Sequence, residues 1–153
     1  MSYEVIKGDL IELAKNNEFD IIVHGCNCFH VMGGGIAKQI KDEFPSAYDA
    51  DKKTIKGSKD KLGKYSYVKI DKLTIINAYT QYGYQMYNRG SDDVVYNAIK
   101  KVFETINNNF IGKKIGIPMI GAGLARCDWN IIEKIIKTTN KNNNITLVLW
   151  DKI

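Results

Sequence analysis

No stretch of this 153-residue chain approaches the ~18 consecutive apolar residues that a membrane-spanning helix needs. Its opening, MSYEVIKGD, lacks a basic start followed by an apolar run, so no secretory signal is expected. Cysteine is scarce and odd in number. Three thiols do not make a disulfide framework and fit a reduced, cytoplasmic protein. Arginine is almost missing, with 2 Arg beside 20 Lys. The net charge of +5 favours anionic ligands, although a lysine-rich surface also serves solubility alone. No recognisable nucleic-acid-binding motif accompanies that charge, so nucleic acid is not an expected partner. Carboxylates do not cluster, so neither a metal nor another cofactor is expected. Repeats, linkers and low-complexity tails are absent. A single domain over residues 1–153, acting as a monomer, is the expectation.

What the chain does have is alternation. Apolar, β-type runs stand at residues 3–7, 19–24, 65–70, 73–79, 114–120 and 145–150, with helical patterns between them. Residues 10–16 follow Asp9, a good N-cap. Residues 35–44 place Ile36, Ile40 and Phe44 on one face and stop at Pro45. Ser46 with Asp49 has the form of a capping box for a short helix to about residue 55. Residues 92–108 follow Ser91 and align Val95, Ile99, Val102 and Ile106; residues 129–140 follow Asp128 with Ile131, Ile132, Ile135 and Ile136 facing inward. The two-residue link Asp71-Lys72 predicts an antiparallel hairpin, while strands joined through helices predict parallel neighbours. The fold class is α/β: a three-layer α/β/α domain with a mixed, mostly parallel sheet of about six strands. The lysine-rich residues 53–64 read as a solvated loop.

Chemistry concentrates in HGCNCFHVMGGGIAK, residues 24–38. His24, Cys26, Cys28 and His30 are spaced by two, which on an extended strand spreads four potential ligands over ~20 Å. Tetrahedral zinc needs its ligands within ~2.3 Å of one point, so this is not read as a metal site, and the cysteines read as small buried residues. Gly33, Gly34 and Gly35 close a strand-to-helix loop, where the backbone can approach a ligand and a helix N-terminus offers free N–H groups to an anion. Neither a Walker loop nor G-x-G-x-x-G is present. The stretch GAGLARCDW, residues 121–129, repeats the arrangement before the next helix. Two glycine loops on one sheet edge suggest a pyrophosphate held by backbone N–H groups from both sides.

Taken together, GDL at 8–10, IIVHGCNC and GGGIAKQI within 21–40, and IPMIGAGLARCDW at 117–129 resemble the macro domain, closest to its ADP-ribose-1''-phosphatase (Appr-1''-p processing) branch. That branch carries His-x-Cys-Asn-Cys where other macro domains carry Asn-Ala-Ala-Asn. The resemblance implies that Asp9 accepts the adenine amino group, with Leu10 beside it, and that Asn27 reads the distal ribose hydroxyls. It also implies that Gly33, Gly34, Gly35 and Ile36 lie along the distal ribose and pyrophosphate, and that Gly121, Ala122, Gly123, Leu124 and Ala125 wrap the phosphates. His24 would stand near the terminal phosphate, where an imidazole of pKa ~6.5 can exchange a proton or attack phosphorus. His24 and Asn27 are thus the catalytic candidates. Each residue also has a plain alternative: Asp9 as a helix cap, Asn27 as a turn residue, His24 as a core histidine.

The match has departures. Gln81 and Ala125 occupy positions where a branch that strips ADP-ribose from protein uses a lysine and an aspartate. Arg126 either meets a phosphate or faces water; Asp92 and Asp93 are candidates for a second acid on position alone; the loop 82–90 either closes over the distal ribose or packs on the surface. The function implied is hydrolysis of ADP-ribose-1''-phosphate to ADP-ribose and phosphate. The alternatives are a module that only binds ADP-ribose, or a hydrolase acting on ADP-ribosylated macromolecules.

Overall fold

The computed structural model describes residues 1–123 and 125–150. Strands β1 (Ser2–Gly8), β2 (Ile21–Cys26), β3 (Tyr65–Ile70), β4 (Leu73–Tyr79), β5 (Lys114–Ile117) and β6 (Asn144–Trp150) form one sheet in the order β1-β6-β5-β2-β4-β3. Only β3 and β4 pair antiparallel, through the hairpin at Asp71-Lys72, where Asp71 takes a φ of 53°. The remaining pairs are parallel. Helices α1 (Leu10–Lys15), α2 (Gly35–Glu43) and α3 (Pro45–Lys52) cover one face; α4 (Asp92–Asn109) and α5 (Trp129–Thr139) cover the other. The first layer packs Leu10, Ile11, Ile40 and Ala47 on Ile22 and Ile75. The second packs Val95, Ile99, Val102, Ile132 and Ile136 on Val23, Ile76 and Ile115. The expected three-layer architecture is present, and β2, covered on both faces, is apolar almost throughout.

The helix starts follow from side-chain capping. Asp9 accepts from the Ile11 and Glu12 amides, Ser91 from Val94 and Asp128 from Asn130, each satisfying donors that a first helical turn leaves free. Ser46 does not cap. Pro45 is itself the first residue of α3, because its fixed φ suits a helix start and it has no N–H to leave unpaired. That helix ends at Lys52, short of residue 55. Ile131 is 44% exposed, so α5 turns Ile132 and Ile136 inward and leaves Ile131 at the rim. The run 114–120 is extended only to Ile117; Pro118 has no N–H for a ladder, and the chain turns there. Among the described residues no helix is long and apolar enough to cross a membrane.

Candidate functional site

At the carboxyl ends of β2 and β5 the sheet opens into a cavity of about 720 Å³, a size suited to small-molecule ligands. These neighbouring strands send their chains to opposite faces, β2 into α2 and β5 into α5. Open α/β sheets bind ligands at such a switch point. One wall is Gly25, Cys26, Asn27 and the Gly33–Gly34–Gly35–Ile36 turn; the other is Ile120, Gly121, Gly123 and Ala125. The two glycine loops therefore face each other. A smaller hollow of about 280 Å³ adjoins, sharing Gly35, Ile36, Pro118 and Met119, and Gly8, Leu10, Gln39 and Trp150 complete it.

The first loop is held by local hydrogen bonds. Asn27 Oδ1 accepts from the Phe29 amide at 2.9 Å, and its Nδ2 donates to the Val31 carbonyl at 2.7 Å. Asn27 lines the cavity, yet its amide is engaged in holding the loop, which is the turn role. Lys61 Nζ donates to the Cys28 carbonyl from behind at 3.1 Å, and the Gly57 amide donates to the same oxygen at 2.7 Å. Gly35 enters α2 with φ 58°, a conformation that glycine adopts without strain. Among the described residues the amides of Gly33, Gly34, Gly35 and Ile36, and those of Gly121 and Gly123, have no hydrogen-bond acceptor. Amides left unpaired at a helix N-terminus or glycine turn can serve an anion.

His24 is not where the resemblance puts it. Its ring is fully buried under the sheet, on the α3 side, with Nε2 2.7 Å from Asn77 Oδ1 and Cys26 Sγ 3.6 Å away. Asn77 in turn donates to the Ala47 carbonyl at 2.9 Å and to Ser66 Oγ at 3.1 Å. Burial lowers the imidazole pKa to about 4, the bond to Asn77 opposing the shift. The ring is a neutral core group and does not line the cavity. Strand alternation puts His24 on the face of Ile22, which packs in the α1–α3 layer, and it lies two residues before the strand end at Cys26, where the cavity begins.

Cys26 and Cys28 are buried beside Tyr79, as expected of packed filler. Burial pushes the Cys28 thiol up to about 11, against a smaller opposing effect of Lys61. Asp9 caps α1 with Oδ1, at 3.0 Å from the Ile11 amide and 3.2 Å from that of Glu12, and stands between Gly8 and Leu10 of the smaller hollow. Ala122 does not line the cavity, and Leu124 lies outside the described residues. Asp92, Asp93 and Arg126 do not line it either. Asp92 Oδ1 accepts from the buried Arg89 at 2.6 Å and lies 3.8 Å from Cys127 Sγ, beside the second loop.

Sequence reasoning passed over Gly25, Val31, Ala37, Pro118 and Met119, all of which line the cavity. It read Gln81 only as a lost lysine and Tyr84 only as part of a loop; both face the cavity. Among the described residues the lining holds no carboxylate, imidazole, ammonium or guanidinium group. No group of three or more His, Cys, Asp or Glu among them is placed to hold a metal ion.

The Macro domain family profile matches residues 23–136. The chain is 36% identical, over all of its length and 99% of the other, to an uncharacterized 17.5 kDa protein from the tk-vs intergenic region of Enterobacteria phage T4. A 48-residue segment, 31% of this chain and 22% of the other, is 40% identical to an ADP-ribose 1''-phosphate phosphatase of Aspergillus oryzae. In fold it is similar to the Thermosipho africanus DarTG structure in complex with ADP-ribose, with TM-score 0.71 and 18% identity over 97% of this chain and 42% of that one. A profile match that takes in both glycine loops and the strands that carry them, together with this likeness of fold, assigns the chain to the macro domain family.

Proposed function

We propose that the cavity binds ADP-ribose and that the protein hydrolyses the terminal phosphate of ADP-ribose-1''-phosphate. One observation carries the binding half: both glycine loops line one cavity, and among the described residues their amides have no protein acceptor and the lining no charged side chain. A pyrophosphate lying between them would satisfy both sets at once, without a cationic side chain. The smaller hollow, lined by Leu10, Ile36, Val148 and Trp150, has the apolar walls that a purine needs. The deep end beside Gly25, Asn27 and Gln81 then receives the distal ribose. Support for the phosphatase half comes from the His-x-Cys-Asn-Cys pattern and from the segment shared with the Aspergillus enzyme.

A second reading, binding without turnover, is favoured by the absence of any carboxylate, imidazole or amine in the described lining. One experiment separates them. Purified protein is given ADP-ribose-1''-phosphate and, in parallel, ADP-ribosylated protein, while calorimetry measures ADP-ribose affinity. Phosphate release with catalytic turnover supports the first reading. Tight binding without release supports the second. Release of ADP-ribose from the protein conjugate would overturn both.

Asp9 offers a test of the adenine end. Asp9→Ala is expected to lower stability by about 1 kcal/mol through loss of the α1 cap. If its free Oδ2 also meets the adenine amino group, the variant loses ~1–3 kcal/mol of preference for adenine over a base lacking that donor. Asp9→Ser restores the cap without the charge, so a preference that stays lost in Asp9→Ser is due to the base contact.

A further inference from the structure

We infer that Gln81 is a catalytic residue that holds the attacking water. This rests on the phosphatase reading above and concerns how its reaction runs without a general base in the cavity. Four polar side chains stand in the described lining: Cys26, Asn27, Gln81 and Tyr84. Asn27 Oδ1 already accepts from the Phe29 and Val31 amides, at 2.9 and 3.4 Å, which uses both of its lone pairs. Cys26 is a buried thiol whose pKa burial raises well above normal, with its sulfur turned to His24. Tyr84 is half exposed on the loop at the mouth.

Gln81 remains. It follows β4, and its Nε2 donates to the Gly83 carbonyl at 2.8 Å. A carbonyl accepts only from the NH₂ side of an amide, so this bond fixes which end of the side chain is which. The other end, Oε1, has no hydrogen-bond partner among the described residues, and Gln81 is one of the residues that line the cavity. A carboxamide oxygen held in this way accepts one hydrogen of a water and aims its lone pair, without itself taking a proton. Glutamine serves the same purpose in enzymes that hydrolyse nucleotide phosphates.

The step balances without a protein acid or base. The water oxygen forms the new bond to phosphorus as the bond from phosphorus to the C1'' oxygen breaks. One water proton passes by way of a phosphate oxygen to the leaving C1'' oxygen, and ADP-ribose and inorganic phosphate separate. Charge on the transferring group is met by the backbone amides of the loops.

The test is Gln81→Met, which keeps the length and volume of the side chain. Phosphate release from ADP-ribose-1''-phosphate, calorimetry with ADP-ribose and thermal melting are measured on wild type and variant. The expected result is a fall in kcat on the order of 10-fold or more, with ADP-ribose affinity within about 3-fold of wild type, since a water-orienting group acts on the transition state. An unchanged kcat overturns the assignment. So does a parallel loss of kcat and affinity, which would mark Gln81 as a binding contact. If wild type releases no phosphate, the phosphatase reading falls and Gln81 falls with it, while the ADP-ribose titration reports separately on the cavity.

Discussion

Gly123→Val is expected to abolish ADP-ribose binding while leaving the melting temperature unchanged. A Cβ on Gly123 would meet no atom of the described residues beyond its chain neighbours within 4 Å, and the residue lines the cavity. Its backbone is not in the left-handed region, so a side chain there is not strained. The branched side chain therefore occupies only the space a ligand would use. Displacing a pyrophosphate from one glycine loop removes several charge-assisted bonds at once. A loss of about 1000-fold in affinity, roughly 4 kcal/mol, is the expected scale. Gly121 gives the contrasting control. Its φ is 76°, and an added Cβ would lie 3.0 Å from Ile132 Cδ1 and 3.2 Å from Ile99 Cδ1. Gly121→Ala is expected to lose binding by destabilising the fold, which thermal melting detects. Normal binding by Gly123→Val would remove the second loop from the ligand site, and the facing-loop model with it.

The two loops were legible in the sequence because their logic is local. Glycines stand between a strand and a capped helix, and both strands are parallel, so both loops fall on one edge. The caps at Asp9, Ser91 and Asp128 and the hairpin at Asp71-Lys72 are also set within a few residues and were readable for the same reason. What failed was whatever depends on the partner across the sheet. Ser46 has a capping sequence, but Pro45 beside it starts the helix one residue earlier, so Ser46 lies inside the first turn. Ile131 has the composition of a core residue, but the helix axis leaves it at the rim. Asn27 and Gln81 look equally polar in sequence. Only the structure shows that the amide of the first is engaged at both ends and that the second keeps an oxygen free. For His24 the sequence left two roles open, near the phosphate or in the core, because β2 is buried on both faces; the structure buries the ring.

That placement makes the protein's stability sensitive to acid through His24, over a defined pH window. Folded, its pKa is lowered to about 4 by burial; unfolded, it returns to 6.5. Between those values the unfolded chain binds a proton that the folded protein refuses. The contribution is therefore fully present above the unfolded value and is lost progressively as pH falls from about 6.5 to about 4. The shift corresponds to roughly 3 kcal/mol in order of magnitude, a large part of an ordinary domain's stability. Denaturant midpoints measured from pH 7.5 to 4 should fall steeply over this window in wild type. His24→Gln is expected to be less stable at pH 7.5, because a fitted ring has been lost, but its midpoint should change less across the window because its amide does not titrate. Equal pH slopes in the two proteins would mean that His24 is solvated and that the buried ring is wrong. The same variant decides whether this histidine belongs to the chemistry. Phosphate release at the wild-type rate by folded His24→Gln follows from a core role. A fall of ~100-fold at unchanged ADP-ribose affinity would show that the imidazole reaches the phosphate after all, the usual scale for losing an acid–base group.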